Sequence, residues 1–425
     1  MMSFLRWVSI RQRPVWISVC LLFALGVSAD SVTKTWELAA GDRSYLTTAD
    51  LERGLAYNPA TGNLLLASAF GSPQVYILNG ANGLDGDTGN GPLTLRLTAT
   101  DSSGNETNVL SGGTILLNLV GVAGDGVVYA ANLRVSASDN FSIYRWSSDN
   151  VTNSPTLAYS GDPSAGLVAS GDDIRYGDSF AVRGSGTNTQ FIATSRSGKY
   201  LAVFSSTDGI NFTSQTLVAN VSGAGLSVAF GDGNTFWAGG ASLRRLQYDL
   251  AKATVTNLNS YDSTAIPGSP SGLAYDPAGQ ALAVVDASGN TFAVYDVSDP
   301  ANPARVADFL HFLSENPNTN GTAAAAISGS LAFGLDTNNG MMAVAIQRAA
   351  PQPVILSTPN YSNGTIEFSM TGQPGTYRIQ ETAALAPANW VDIGNYTIPA
   401  PPLIFIMEFT TPATNAAGFF RAVSP

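Results

Sequence analysis

Apolar residues in this chain fall in short runs broken by glycine, asparagine and aspartate, and no long stretch shows the 3.6-residue spacing of an amphipathic helix. The clearest run is RGLAYNPATGNLLLASAFGSPQVYILN, Arg53 to Asn79: short strand, tight turn, apolar strand, short loop, third strand. SGLAYDPAGQALAVVDASGNTFAVYDV, Ser271 to Val297, repeats that order. Four further units follow the same scheme, so first strands begin near Gly54, Leu119, Phe180, Leu226, Gly272 and Ala323. Third strands follow from Gln74, Ser142, Tyr200, Ser242, Thr291 and Met341. A fixed internal order at a regular period marks a repeat array.

The pattern within the strands decides how the repeats assemble. In Val75-Tyr76-Ile77-Leu78 and Phe292-Ala293-Val294-Tyr295 consecutive residues are apolar, so both faces of each sheet must be covered. Blades packed face to face around an axis do this for every sheet. The pattern therefore predicts an all-β chain with a six-bladed β-propeller, seven blades being the alternative. Asp125-Gly126, Asp232-Gly233 and Asn339-Gly340 supply tight hairpin turns. Outer fourth strands are expected at Thr94 to Thr98, Thr156 to Tyr159, Thr216 to Ala219, Thr254 to Leu258 and Arg305 to Phe309. The sixth unit has none of its own, so Lys34 to Leu38, with Trp36, is expected to close the ring from the N-terminal side.

The flanks complete the domain plan. Arg6, Arg11 and Arg13 precede the apolar run Val15 to Val27 and the small residues Ser28-Ala29. That order reads as a signal peptide over residues 1–29, its run of roughly 13 residues being shorter than the roughly 20 of a spanning helix. The propeller is assigned to residues 30–348. Residues 349–353, Ala-Ala-Pro-Gln-Pro in the stretch from Ala349, form a linker, and residues 354–425 a small C-terminal β-sandwich. No membrane span is expected after signal cleavage, and the chain is expected to be secreted, whether extracellular, periplasmic or attached to a cell surface.

Charge narrows the partners. The chain carries 20 basic and 31 acidic residues, and loss of the leader, with three arginines and no acid, takes the net charge from −11 to −14. Nucleic acid is therefore excluded as an expected partner. Cys20, the single cysteine, leaves with the leader, so no disulfide or thiol chemistry is expected.

RGLAYNPATGNLLLASA, VGVAGDGVVYAANL, RYGDSFAVRGSGTNTQ and LDTNNG resemble an uncharacterised family of secreted bacterial propeller-like proteins, a domain of unknown function, over roughly residues 34–348. GTYRIQETAALAPANW and GFFRAV look like the β-sandwich module that often closes exported proteins of Gram-negative environmental bacteria. The resemblance implies fold and export and brings no catalytic residue.

Candidate chemistry is sparse, and no catalytic residue is assigned. Charge concentrates at Asp172-Asp173-Ile174-Arg175-Tyr176-Gly177-Asp178 and Arg183, entering the third unit. Asp173, Arg175, Asp178 and Arg183 are candidates for a polar ligand in the axial channel, or for ion pairs that tie blade to blade. Asp286, Asp336 and Asn338 join them as rim candidates, with turn formation the alternative. Asp85, Asp87 and Asn90 alternate with glycine in the manner of a calcium loop, although Arg96 stands where a bidentate glutamate would be needed. Calcium is the one cofactor the sequence offers; otherwise none is expected. His311 is the only histidine, which excludes a multi-histidine metal site. Trp146, Trp237 and Trp390 are candidates for sugar stacking, with burial in the core as the alternative. The expected function is that of an exported, non-catalytic binding or scaffold protein, its partner an extracellular glycan, peptide or surface protein. The alternative is a calcium-dependent hydrolase or lyase acting on a polysaccharide or lactone at the channel.

Overall fold

The computed structural model describes residues 30–86, 91–348, 355–356, 360–362, 365–371, 375–383, 388–398, 405–410 and 419–423. Asp30–Gln347 form one unit, a six-bladed β-propeller. The inner strands of blades one to six are Glu52–Asn58, Ile115–Val122, Ala181–Arg183, Ser227–Phe230, Pro270–Asp276 and Ala323–Ser328. Each touches the next around the axis, and the sixth touches the first, so the ring is closed.

Every blade continues outward as an antiparallel ladder. In blade one, Asn63–Ser68 pairs with the inner strand and with Gln74–Asn79. Within Gln74–Asn79, Val75 and Ile77 face the apolar cluster shared with blade two, while Tyr76 and Leu78 face the one shared with blade six. Six such clusters fill the six gaps between neighbouring blades. A run of consecutive apolar residues is thus required, because each side chain in turn enters a different interface.

Ring closure follows the expected route. Ser31–Ala39 pairs antiparallel with Gly340–Gln347 and becomes the outer strand of blade six, setting Trp36 opposite Ala343. Outer strands Thr156–Gly161, Phe212–Val218 and Thr254–Tyr261 complete blades two, three and four. A parallel bridge from Val218 to Thr254 joins blades three and four into one eight-stranded sheet.

Two outer strands differ from expectation. Blade one has only the bridges Tyr76 to Thr94 and Leu78 to Asp85. There the Arg96 carbonyl accepts from the Trp146 indole at 2.7 Å, and the Arg96 side chain pairs with Glu106 of the hairpin Thr98–Thr100 and Glu106–Asn108. In blade five the outer strand is split into Ala304–Arg305 and Leu310–His311, both paired with Thr291–Asp296.

Close approach between inner strands depends on glycine. A Cβ on Gly54 would lie 2.7 Å from the Leu119 Cα of blade two, and one on Gly272, the equivalent position of blade five, 2.9 Å from the Ala324 Cα of blade six. Beyond the propeller, Thr365–Thr371 pairs with Ile355–Leu356, Asn360–Ser362 and Phe405–Thr410, and Gly375–Thr382 pairs with Val391–Ile398 and Phe419–Val423. These two antiparallel sheets share an apolar cluster around Met370 and Ile379. Among the described residues no helix is long and apolar enough to cross a membrane.

Candidate functional site at the channel mouth

The end of the ring at which the inner strands begin gathers most of the buried charge. Arg53 opens blade one inside a β-bulge: Glu52 faces Ser68 and Gly54 faces Ala67, which leaves Arg53 between them without a partner in the ladder. Bulges re-aim a side chain and recur beside functional sites. Blade five has the same bulge, with Ser271 in the equivalent place. The Arg53 side chain is nine-tenths buried and donates from Nε to the Asp50 carbonyl at 2.8 Å. Burial pushes its guanidinium below the ordinary value, and the carboxylates of Asp178 and Asp50 oppose that shift.

Blade three brings the other charges. Its entry segment is clamped by Arg134 of blade two, which exchanges both backbone hydrogen bonds with Tyr176 and donates from its guanidinium to the Ile174 carbonyl at 2.9 Å and to Asp162 at 2.6 Å. Gly177 then turns the chain at φ 105°, where a Cβ would meet the Asn132 carbonyl at 2.1 Å. The turn sets Asp178 against Arg175, whose Nε and an Nη donate to its two oxygens at 2.6 and 2.7 Å. This two-point hydrogen bond holds Arg175 above its ordinary value. Arg196, in the loop between the second and third strands of the same blade, donates its backbone N–H to the Arg175 carbonyl at 2.9 Å.

Arg53 feels the charges of Asp178, Asp50, Arg175 and Arg196, and the start of blade two bridges blades one and three, with Leu119 packed on Gly54 and Asn118 bonded to Gly177. Between them stands Asn118, level with Arg53 because its neighbour Leu119 packs on Gly54. Its Nδ2 donates to the Gly177 carbonyl at 2.6 Å, while its buried Oδ1 has no hydrogen-bond partner.

The remaining candidates are dispersed. Asp173 pairs with Lys199 at 2.9 Å, which fixes the outer part of the entry segment. Arg183 lies at the far end of the same inner strand, donating to Gln190, to the Gly233 carbonyl and to the Tyr248 hydroxyl, with its guanidinium 4.2 Å from the Phe230 ring centre. It ties blade three to blade four and stands apart from Asp178. Asp286 accepts from the Ser269 and Ser288 backbone N–H groups at 2.8 and 2.9 Å. Asp336 is fully buried and accepts from Asn318 and Asn339 at 2.6 and 3.2 Å; burial pushes its pKa up to about 7 against those bonds. Asn338, at φ 77°, takes the Asp50 N–H at 2.7 Å and donates to the Asp50 carboxylate at 3.0 Å.

Asp85 receives the Tyr45 hydroxyl and lies 3.0 Å from Arg43 Nε, partners suited to a lone carboxylate. Asp87 and Asn90, the other members of the expected calcium loop, lie outside the described residues. Among the described residues no group of three or more histidine, cysteine or acidic side chains is placed to hold a metal ion. Trp146 and Trp237 are core residues, and Trp390 has Arg421 4.3 Å above its ring. A groove of about 660 Å³ at the periphery is lined by Val32, Thr264, Tyr295, Arg305 and Val306. None of the mouth residues reaches it.

No family model matches the chain, and no curated protein does. Among solved structures, a DUF4623 family protein from Bacteroides eggerthii is similar at 14% identity and a TM-score of 0.49, over 76% of this chain and 78% of that one. A gluconolactonase from Xanthomonas campestris is similar at 13% identity and a TM-score of 0.40, over 80% of this chain and 100% of that one. A luciferin-regenerating enzyme is similar at 13% identity and a TM-score of 0.41, over 76% and 98%. Identities this low carry no chemistry from those proteins to this one.

Arg53, Asn118 and Arg196 are the mouth residues that sequence reading passed over. Only Arg53 left a trace, as the arginine in one repeat where its near-copy has Ser271.

Proposed function

We propose that the chain is an exported, non-catalytic binding protein whose propeller captures an extracellular ligand at the channel mouth. The observation that carries this reading is the chain of contacts across one end of the ring, from Gly54 on Leu119 through Asn118 and the Gly177 carbonyl to the Arg175–Asp178 pair, which gathers charged residues of blades one and three there. Charged groups held by a closed scaffold are preorganised, so little ordering cost remains on binding.

The carboxylates around the mouth are already engaged, which favours capture over calcium-assisted hydrolysis. Asp178 is taken by Arg175, Asp50 by Asn338, Asp286 by Ser269 and Ser288, and Asp336 by Asn318 and Asn339. A catalytic cation would have to displace these partners to find its oxygens.

The test is capture on the immobilised full chain from pools of extracellular glycans and peptides. Selective retention that falls in Asp178→Ala, with the retained molecule recovered chemically unchanged, is the expected result. Release of a cleaved or ring-opened product would replace this reading with an enzymatic one, and retention indifferent to Asp178 would move the ligand face elsewhere.

A further inference from the structure

We infer that the groove on the outer side of blade five is a second ligand site, which takes a neutral sugar residue of an extracellular glycan. The groove shares no residue with the channel mouth, and its ligand is independent of the one captured there.

A break in a strand makes the groove. From Tyr295 to Phe292 the third strand of blade five takes three steps, while the outer strand paired with it takes five, from Arg305 to Leu310. The surplus bends outward at Val306 and Ala307 and leaves the Asp308 side chain fully exposed. A second wall is the connection from blade four, where the Asp262 carboxylate accepts from the Thr264 and Ala265 backbone N–H groups at 2.9 and 3.1 Å. The closing strand of blade six supplies the third, from Asp30 to Val32, with Ser31 paired to Gln347. All of these walls are tied to the ring. They bound about 660 Å³, within the range of about 300–1,000 Å³ typical of small-ligand sites.

Two side chains in the groove await a partner. Tyr295 and Arg305 stand directly opposite each other in the ladder, so they project side by side from one face of the blade. Tyr295 is only 2% exposed, yet it lines the groove, and its hydroxyl makes no hydrogen bond among the described residues. Burial pushes its pKa up to about 12, so the group stays a neutral donor and acceptor. The Arg305 guanidinium lies over the Phe309 ring, 3.9 Å from its centre, and makes no hydrogen bond among the described residues either. Its ion pair with Asp308 is long, at 3.6 Å. Polar groups left unpartnered on a preformed wall mark the place where a ligand is oriented.

The mixture of groups selects the ligand. Arg305 offers only donors, the Asp30 and Asp308 carboxylates only acceptors, and Val32, Pro267 and Val306 add apolar surface. An anion would meet two carboxylates, and a cation the guanidinium. Sugar hydroxyls both donate and accept, and the C–H face of a sugar ring suits the apolar wall, so a neutral saccharide uses every group.

Calorimetric titration of the full chain with cellotetraose, xylotetraose and maltotetraose tests the site, with tetragalacturonate as the charged probe. The expected result is saturable binding of at least one neutral tetrasaccharide, weakened about three- to tenfold in Tyr295→Phe and about tenfold or more in Arg305→Gln. Tyr295→Phe deletes only an oxygen without a partner, so its midpoint of thermal unfolding should match the wild type. Lys252→Gln removes a charge from an exposed pair with Asp249 in blade four and should leave affinity unchanged. Neutral binding indifferent to Tyr295 and Arg305, or lost in Asp178→Ala instead, would overturn the groove while leaving the channel mouth as a ligand face. Tetragalacturonate bound in place of the neutral probes would overturn the neutral assignment. No saturable binding of any neutral probe by the folded chain would overturn the site itself.

Discussion

Trp36 lies opposite Ala343 in the ladder that closes the propeller, and its indole N–H reaches across to the Gly80 carbonyl of blade one at 2.9 Å. One side chain thus holds the closing strand to blade six through the sheet and to blade one through a hydrogen bond. Its ring also packs near Phe333 at 6.2 Å between centres. Replacing Trp36 with alanine removes a large half-buried ring and the bond together. Urea denaturation should show a loss of about 2–3 kcal/mol, below the cost for a fully buried tryptophan. A loss under about 0.5 kcal/mol would mean that the closing strand contributes little.

Gly54 and Gly272 occupy the same place in two repeats and serve the same contact. An added methyl at either would press on the backbone of the next inner strand, which has no rotamer to yield. Gly54→Ala and Gly272→Ala should each destabilise the propeller by about 1–3 kcal/mol, read as a lower midpoint of thermal unfolding. Gly41→Ala, with nothing within 4 Å, has only the strain of a positive φ to bear and should cost less.

These glycines also explain how much the sequence disclosed. GLAYNP and GLAYDP are near-identical because each repeat must solve the same packing problem, so the repeat and the blade were legible. Consecutive apolar residues such as Leu64 and Leu65, which enter different interfaces, announced sheets covered on both faces. The mouth was not legible in the same way. Arg53 and Arg196 lie well over a hundred residues apart, and only ring closure brings them together. Asp178 and Arg183, five residues apart, looked like partners, but Asp178 lies in the bend that leads into the inner strand and Arg183 at the end of that strand, each with other partners. The outer strand expected at Thr94 to Thr98 shrinks to isolated bridges, and the Arg96 carbonyl within it is taken by Trp146 of a different blade, a tertiary effect with no local signal.

Asp149 anchors the other end of the ring. Its Oδ2 accepts from Asn58 Nδ2 at 3.1 Å, Thr61 Oγ1 at 2.5 Å and Asn63 Nδ2 at 2.9 Å, so a blade-two carboxylate holds the first turn of blade one. Asn58 is fully buried, and removing the acceptor strands its donor. Asp149→Ala should cost about 2–4 kcal/mol in chemical denaturation, and Asp149→Asn less, because one oxygen acceptor is retained. Equal losses in the two variants would show that the charge, and not the acceptor count, matters.

Asp336 makes stability depend on pH in a direction opposite to that of most carboxylates. Its folded pKa is raised to about 7 by burial, above the ordinary 3.8 of an unfolded aspartate. Between those values the folded state holds a proton that the unfolded chain has released, so unfolding releases a proton and a rising pH favours it. The contribution is complete below the unfolded pKa and is lost as pH rises through about 7, with a slope approaching 1.4 kcal/mol per pH unit in between. Asp336→Asn is close in shape and does not titrate. Denaturation measured from pH 4 to pH 9 should show wild-type stability falling more steeply with pH than that of the variant, the two curves running parallel above about pH 8. Parallel curves throughout would mean that the donors Asn318 and Asn339 keep Asp336 ionised despite its burial.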